Sequence, residues 1–154
     1  MHPNVQAVTD ALAAAAALGE IRILPDAVST AAAAAAALGV EVGQIANSLI
    51  FDADGEPLLV LTSGAHRVDT AKVAGLVGVT AVRRATPEFV REHTGQAIGG
   101  VAPVGHPKPV RTVVDTALGA FDEVWAAGGI PHAVFPTTFD ELLRLTDGTP
   151  AEVA

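Results

Sequence analysis

The sequence has no cysteine, no tyrosine and only two lysines among its 154 residues. The missing cysteines exclude disulfide bonds and thiol catalysis, and they favour a cytoplasmic location. The shortage of lysine and the net charge of −8 argue against DNA as a partner, because binding along a duplex requires several cations to neutralise its phosphates. A few local arginines can still hold a short nucleic-acid end, since net charge governs long-range steering rather than the chemistry of one site.

Long apolar runs other than alanine tracts are also missing. Hydrophobic residues make up 50% of the chain, but no run approaches the roughly 20 residues of a membrane span, so we expect no membrane segment. Residues 1–10 lack a basic start followed by an apolar core, so we expect no signal peptide. The length favours a single domain over residues 1–154.

Two alanine tracts, residues 11–19 and 31–40, predict helices packed on protein. We expect Asn4 or Asp10 to cap the first helix and Gly19 to end it. Gly39 is expected to end the second helix.

The rest of the chain mixes strand and helix patterns. Apolar runs on both sides of the Asp-Gly turn in residues 52–56 predict a β-hairpin. Thr86 and Pro87 begin a clear helix that Gly95 ends. Further helices are predicted in residues 66–78 and 138–146, and further strands in residues 21–25, 79–85, 110–115, 123–129 and 132–136. This mixture predicts an α/β or α+β domain built on a mixed sheet.

Conventional metal, nucleophile and nucleotide motifs are not present. The five histidines form no i, i+4 pair on a predicted helix and no HExxH motif, and none of the three serines lies in GxSxG. The segment GGVAPVG is neither GxGxxG nor a Walker loop. We therefore expect no metal and no cofactor.

The segment AIGGVAPVGHP, residues 97–107, has three glycines, two prolines and no carboxylate. Glycine permits unusual backbone conformations and proline fixes φ, so the composition predicts a shaped loop. The amides of Gly99, Gly100 and Val101 could stabilise an oxyanion during acyl transfer. The alternative is a tight crossover between strands, which explains most Gly-Pro clusters.

Five segments resemble, in order and approximate spacing, the YbaK/aminoacyl-tRNA-synthetase-associated domain family. They are GVEVGQIANSLIF, HRVDTAKVAGLVG, TGQAIGGVAPVGHP, VRTVVDTALGAFDEVWAAGG and TTFDELLRLT. The resemblance covers roughly residues 20–154. The family includes the editing domain of bacterial prolyl-tRNA synthetase. It implies a mixed, curved β-sheet flanked by helices, and hydrolysis of the ester between a wrong amino acid and the tRNA 3′ end.

The sequence departs from this family at Asn47, which stands where the family motif QI.KSL has a lysine. Asn47 has no charge, so it can contribute to catalysis only through neutral hydrogen bonds; the alternative is a strand-end hydrogen bond. Ser48 follows the family's small hydroxyl position and is a candidate substrate-binding residue. Its alternative is an ordinary strand residue on the opposite face, because neighbours alternate.

The glycine-rich loop matches the family at Gly99, Gly100, Pro103 and Gly105, and the resemblance implies an oxyanion or 3′-adenosine cradle there. His132 matches a position that is often polar near the family's pocket, and its alternative is a half-buried strand histidine.

Two other residues are expected to play structural roles. Asp115 is expected to form a turn or cap rather than to act as a base, and Lys72 to be a solvated helix lysine.

The leading hypothesis is a free-standing trans-editing hydrolase acting on the acceptor end of mischarged tRNA, with a synthetase as a second candidate partner. No side-chain base is obvious, so the resemblance implies that a ribose hydroxyl of the substrate assists proton transfer. The alternatives are a non-catalytic protein that binds aminoacyl-tRNA or a synthetase, and a hydrolase of small acyl esters. Candidate RNA-binding residues are Arg22, Arg67, Arg83 and Arg84.

Overall fold

The computed structural model describes residues 2–154, which form five α-helices and eight β-strands. The helices are α1 (Pro3–Ala14), α2 (Ala31–Leu38), α3 (Thr70–Val77), α4 (Pro87–Thr94) and α5 (Phe139–Thr146). The strands are β1 (Arg22–Ile23), β2 (Ile45–Ala53), β3 (Glu56–Ser63), β4 (Val82–Arg84), β5 (Arg111–Asp115), β6 (Val124–Ala127), β7 (Ala133–Thr137) and β8 (Thr149–Ala151). Short 3₁₀ turns cover Val42–Gln44 and Thr116–Ala120.

All eight strands belong to one mixed sheet with the order β1-β7-β6-β2-β3-β5-β8, and β4 also pairs with β2. The pairs β2–β6, β3–β5 and β5–β8 are parallel, and the other pairs are antiparallel. The predicted fold class, a mixed α/β sheet with flanking helices, is therefore confirmed. No helix in residues 2–154 has the length and hydrophobicity needed to cross a bilayer.

The sheet splits beside β2. Ile45 and Ala46 pair with β6, and residues 51–53 pair with β4. Between them, residues 47–50 have a strand partner only on the β3 side within the described chain. The Gly64 amide donates to the Ile45 carbonyl at 2.8 Å, so the antiparallel alternation directs the backbone groups of Ser48 toward the unpaired side. The split leaves an opening bordered by backbone polar groups.

Buried side chains form separate clusters on the two faces of the sheet. Ile50 and Leu61 pack with residues of α1, α4 and α5. Phe51 and Val60 belong to a second cluster beneath α3, because successive strand residues alternate between faces. Trp125 lies in a third cluster beneath α2.

Most of the predicted local structure is confirmed. The hairpin turns at Asp54 and Gly55, with φ values of 52° and 92°, as expected for an Asp-Gly turn. Gly39 ends α2 in the left-handed conformation, with φ 69°. The Thr86 side chain caps α4 and Gly95 follows its end.

The predicted limits of α1 are wrong. Its N-cap is His2, whose Nδ1 accepts the Asn4 amide at 3.0 Å, and the helix ends at Ala14 rather than near Gly19. Contacts with α5 explain the early end: Arg144 donates to the Ala15 carbonyl, and the Leu18 amide donates to Glu141 at 3.2 Å. Strand β8 was also not predicted, because its TPA sequence has little strand character and depends on pairing with β5.

Candidate active site

A cavity of about 700 Å³ lies where the sheet opens beside β2. Its walls include residues 45–51 of β2 and residues 28–31 at the start of α2. Further walls come from the β3–α3 loop, from Ile98, Gly99 and Val101 of the glycine-rich loop, and from residues 125–127 of β6. The cavity therefore brings the two sequence segments singled out above, the β2 motif and the glycine-rich loop, to one place.

Two arginines are the only charged residues among those that line this cavity within the described chain. Arg67 and Arg84 contribute to its wall, which contains no aspartate, glutamate, histidine or lysine. Arg83 and Arg22 do not line it, although the Arg22 guanidinium lies 4.9 Å from the ring centroid of Trp125, which does. The cavity thus has local positive charge but offers no side chain suited to act as a general base.

Buried Gln96 holds the glycine-rich loop from within. Its Oε1 accepts the Ala102 amide at 2.7 Å, and its Nε2 donates to the Val104 carbonyl at 3.4 Å. His106 adds a 2.7 Å hydrogen bond from Nε2 to the Ala102 carbonyl. Burial lowers the pKa of His106, and this hydrogen bond only partly offsets the effect. Gln96 was not predicted as a site residue. Its sequence indication is its position directly after Gly95, the glycine that ends α4.

The three amides proposed from the sequence have different partners. The Gly100 amide donates to the Ala97 carbonyl at 3.1 Å, so it is already used in a turn. The amides of Gly99 and Val101 have no acceptor within residues 2–154, and both residues line the cavity. A Cβ on Gly100 would lie 2.6 Å from the Ile130 carbonyl carbon, so this glycine allows two backbones to pack closely. Two residues that line the cavity therefore carry amides without an acceptor in the described chain.

Asn47 and Ser48 also line the cavity, although their side chains project from opposite faces of β2. The Asn47 side chain is half-buried and makes no hydrogen bond with any other described residue, so the alternative of a strand-end hydrogen bond is not formed there. The Ser48 Oγ is buried without a hydrogen-bond partner in the described chain. The Asn47 amide is thus available to a bound molecule, whereas the Ser48 Oγ lacks a partner but is covered by the protein.

Pro103, Gly105 and His132 are not among the residues that line the cavity. Gly105, with φ 84°, packs against α1, where an added Cβ would lie 3.1 Å from the Val8 amide nitrogen. The His132 carbonyl accepts the Leu24 amide at 2.7 Å, and its Nδ1 lies 3.3 Å from the Leu24 carbonyl. Direct substrate contact by these three residues stays a prediction.

Asp115 has the expected capping role. It is buried and accepts the Ala117 amide at 3.0 Å and the Ser63 amide at 3.0 Å. Its Oδ2 also lies 2.9 Å from Nδ1 of His66, a contact that the sequence did not indicate. Lys72 is exposed as expected, and its Nζ lies 3.7 Å from the Glu152 carboxylate. No group of three or more metal-ligating side chains occurs in the part of the chain that the structure describes.

The family model of the aminoacyl-tRNA editing domain matches residues 25–145. A solved structure of a candidate trans-editing enzyme for prolyl-tRNA synthetase superimposes with a TM-score of 0.92 and 45% identity. That superposition covers 99% of this chain and 98% of the other. The matched region contains both the β2 motif and the glycine-rich loop.

Curated relatives include both whole synthetases and a small protein. The proline–tRNA ligase of Nitratidesulfovibrio vulgaris is 37% identical over 115 residues, which cover 75% of this chain and 20% of the ligase. The uncharacterised protein YwhH of Bacillus subtilis is 33% identical over 115 residues, which cover 74% of this chain and 73% of YwhH. This chain therefore spans about a fifth of the length of the proline–tRNA ligases that it matches.

Proposed function

Because the chain belongs to the aminoacyl-tRNA editing domain family, we propose that it is a trans-editing hydrolase that cleaves the ester of mischarged aminoacyl-tRNA. The observation that carries the proposal is the pair of uncommitted amides, Gly99 and Val101, at a cavity that the open edge of β2 also borders. Fixed backbone donors of this kind suit an ester carbonyl that gains negative charge during hydrolysis.

In the proposed reaction, water attacks the acyl carbonyl carbon and the carbon–oxygen bond to the terminal ribose breaks. The hydroxyl group of the water stays on the amino acid, and the other proton of the water goes to the ribose oxygen that leaves. The amides of Gly99 and Val101 stabilise the tetrahedral oxyanion. One such donor lowers the activation free energy by roughly 3 kcal/mol. The cavity wall contains no carboxylate or histidine, so a neighbouring ribose hydroxyl assists the proton transfer.

Asn47 and Ser48 hold the substrate in this proposal. Both offer hydrogen-bonding groups without charge, which suit the amino group or the hydroxyl groups of an aminoacyl ribose. The apolar part of the wall, including Ile45, Leu49 and Val68, selects the amino acid by size. Such a pocket discriminates one methylene by only about 1–3 kcal/mol, which is why a separate hydrolytic step improves accuracy.

The proposed partner is the acceptor end of tRNA, and the synthetase that forms the wrong ester is a second one. The likeness to a candidate trans-editing enzyme supports action on tRNA released from that synthetase. The likeness to proline–tRNA ligases covers only a small part of those proteins, so amino-acid ligation is not part of the proposal.

A deacylation assay over a panel of mischarged tRNAs tests the proposal, and turnover of at least one of them is expected. Binding without turnover would instead favour a non-catalytic role, which would be consistent with the neutral Asn47 in place of the family lysine. Inertness toward every tRNA together with hydrolysis of small acyl esters would favour the third hypothesis, which suits the net charge of −8.

The role of Asn47 is tested by Asn47→Ala in the same assay, with Asp52→Ala as the control. Asp52 lies on the same strand but does not line the cavity. Asn47→Ala is expected to lower kcat/KM about tenfold or more, as for loss of one or two hydrogen bonds to the substrate. An unchanged kcat/KM on all active substrates would assign Asn47 a structural role.

A further inference from the structure

Arg67 and Arg84 lie at the same end of the cavity. Arg84 is the register partner of Phe51, at the end of the unpaired part of β2. Arg67 lies in the β3–α3 loop, and the next residue, Val68, packs on the cluster that contains Phe51. Both arginines also line the cavity, so two cationic residues contribute to its wall on the side of Phe51.

These two charges are not neutralised by the protein. Neither arginine has a carboxylate oxygen within 4.0 Å among residues 2–154, and no carboxylate lines the cavity. Asn47 adds no charge, so Arg67 and Arg84 supply all the positive charge of the cavity wall in a chain whose net charge is −8. A guanidinium stays ionised at all relevant pH values and its planar fork matches the oxygens of a phosphate.

The loop that presents Arg67 is anchored on both sides. Before it, His66 contacts the buried Asp115 through Nδ1 at 2.9 Å. After it, the Asp69 amide donates to the Val153 carbonyl at 2.7 Å, and the Asp69 side chain caps α3. A fixed loop lowers the entropic cost of using Arg67 to bind an anion.

We propose that Arg67 and Arg84 form a phosphate-binding pair that holds the phosphodiester groups of the last nucleotides of an RNA 3′ end. The identity of this occupant rests on the proposed function, whereas the charge of the ligand rests on the arginines themselves. The ester would then reach the amides of Gly99 and Val101, which line the same cavity. The pair gives an acidic protein a local means of holding RNA, limited to a few phosphates.

Arg83 provides a matched control. It is exposed like Arg84 and is its direct neighbour, but alternation along β4 turns it to the other face, and it does not line the cavity. Its charge instead acts on Asp54, whose pKa it helps to lower, after the larger effect of the backbone hydrogen bonds from Thr80 and Ala81. Arg83→Gln therefore removes the same charge without touching the proposed pair.

The experiment compares kcat/KM on a mischarged tRNA and on the corresponding 3′-aminoacyl adenosine, which has no phosphate. Arg67→Gln and Arg84→Gln are each expected to lose about tenfold on the tRNA, mainly through KM, and to stay within about twofold of the parent on the adenosine ester. Arg83→Gln is expected to match the parent on both substrates. The double variant should show a log–log salt dependence of tRNA binding that is shallower by about 1.4, since each single-strand phosphate contact contributes about 0.7.

Equal losses on both substrates, or no loss on either, would overturn the pair. Binding of a short unacylated RNA 3′-end oligonucleotide separates this result from failure of the proposed function. If the parent turns over no ester but binds the oligonucleotide, and the double variant does not, the pair stands and the hydrolase proposal fails. If the double variant binds the oligonucleotide as well as the parent, the pair is overturned whatever the catalytic result.

Discussion

The β2–β3 hairpin turn and the glycine-rich loop both use glycine in a left-handed conformation, but they are held in different ways. In the hairpin, Gly55 has φ 92°, its amide donates to Asp52 at 2.6 Å, and the ladder continues directly on both sides. In the loop, Gly99 has φ 91°, but the chain around it is held by the buried side chain of Gln96 and by packing against remote backbone. The turn conformation depends on residues next to it in sequence, whereas the loop also packs against backbone that is remote in sequence.

This difference separates a segment specified locally from one specified by the whole fold. The backbone conformation of the turn is set within Asp52–Gly55. The Asp54 carboxylate also accepts the amides of Thr80 and Ala81, but none of these residues lines the cavity. The shape of the loop depends on the Ile130–Pro131 backbone against Gly100 and on α1 against Gly105. We therefore expect changes in the loop to reduce both stability and activity, and changes in the turn to reduce stability alone.

The largest difference is expected between Gly100→Ala and Gly55→Ala. At Gly100 the new Cβ would lie 2.6 Å from the Ile130 carbonyl carbon and 2.8 Å from the Pro131 nitrogen, so backbone must move. We expect a loss of about 1–3 kcal/mol in the free energy of unfolding, and at least a tenfold loss of deacylation as the Gly99 and Val101 amides shift. At Gly55 the new Cβ meets open space, and we expect about 1–2 kcal/mol of strain with unchanged activity.

Urea unfolding and deacylation rates of the two glycine variants check this prediction. Equal activity of the two variants would contradict it, even if both are destabilised. Full activity of Gly100→Ala would also show that the close packing of Gly100 against Ile130 and Pro131 does not position the amides.

A smaller difference is expected between Gln96→Leu and Asp52→Ala. Leucine at position 96 would leave the buried Ala102 amide without its acceptor, which costs about 1–3 kcal/mol. Because the same hydrogen bond shapes the loop, deacylation should fall as well. Asp52→Ala releases the Gly55 amide to water at an exposed turn, so we expect less than about 1 kcal/mol and no change in kcat/KM. Hydrogen exchange of the Ala102 amide, slow in the parent and fast only in Gln96→Leu, checks the cause.

The same contrast explains what could be predicted from the sequence. The hairpin, α4 and the end of α2 were predicted because Asp-Gly, Thr-Pro and helix-ending glycine signals act over a few residues. The early end of α1 was not predicted, because contacts from α5 decide it.

The candidate site was predicted only in part, for a related reason. Asn47, Ser48, Gly99 and Val101 line the cavity, but the sequence could not show that Gly100 is used for packing and in a turn. Nor could it rank the arginines. Arg84 reaches the cavity because β4 pairs with β2, and Arg67 because contacts with Asp115 and Val153 anchor its loop.

The smallest expected effect concerns pH, and it also distinguishes the loop from the turn. Burial lowers the pKa of His106 in the loop below its ordinary value of 6.5. Backbone hydrogen bonds from Thr80 and Ala81 lower the pKa of Asp54 in the turn below 3.8. Both folded-state pKa values lie below those of the unfolded chain, so in each case the unfolded state binds more protons as the pH falls. The stability due to His106 is therefore lost first, from about pH 6.5 downward, and that due to Asp54 only below about pH 3.8.

Free energies of unfolding measured in urea at about pH 7.5 and about pH 5 check this order. The parent is expected to lose more stability over that interval than His106→Gln, in which the side-chain amide can still donate to the Ala102 carbonyl. The other four histidines are present in both proteins, so their contributions cancel in the difference. Asp54→Asn should lose as much as the parent over the same interval, because Asp54 is ionised throughout it. An equal loss in the parent and in His106→Gln would mean that His106 is as easily protonated in the folded loop as in the unfolded chain, and that the loop is open to water.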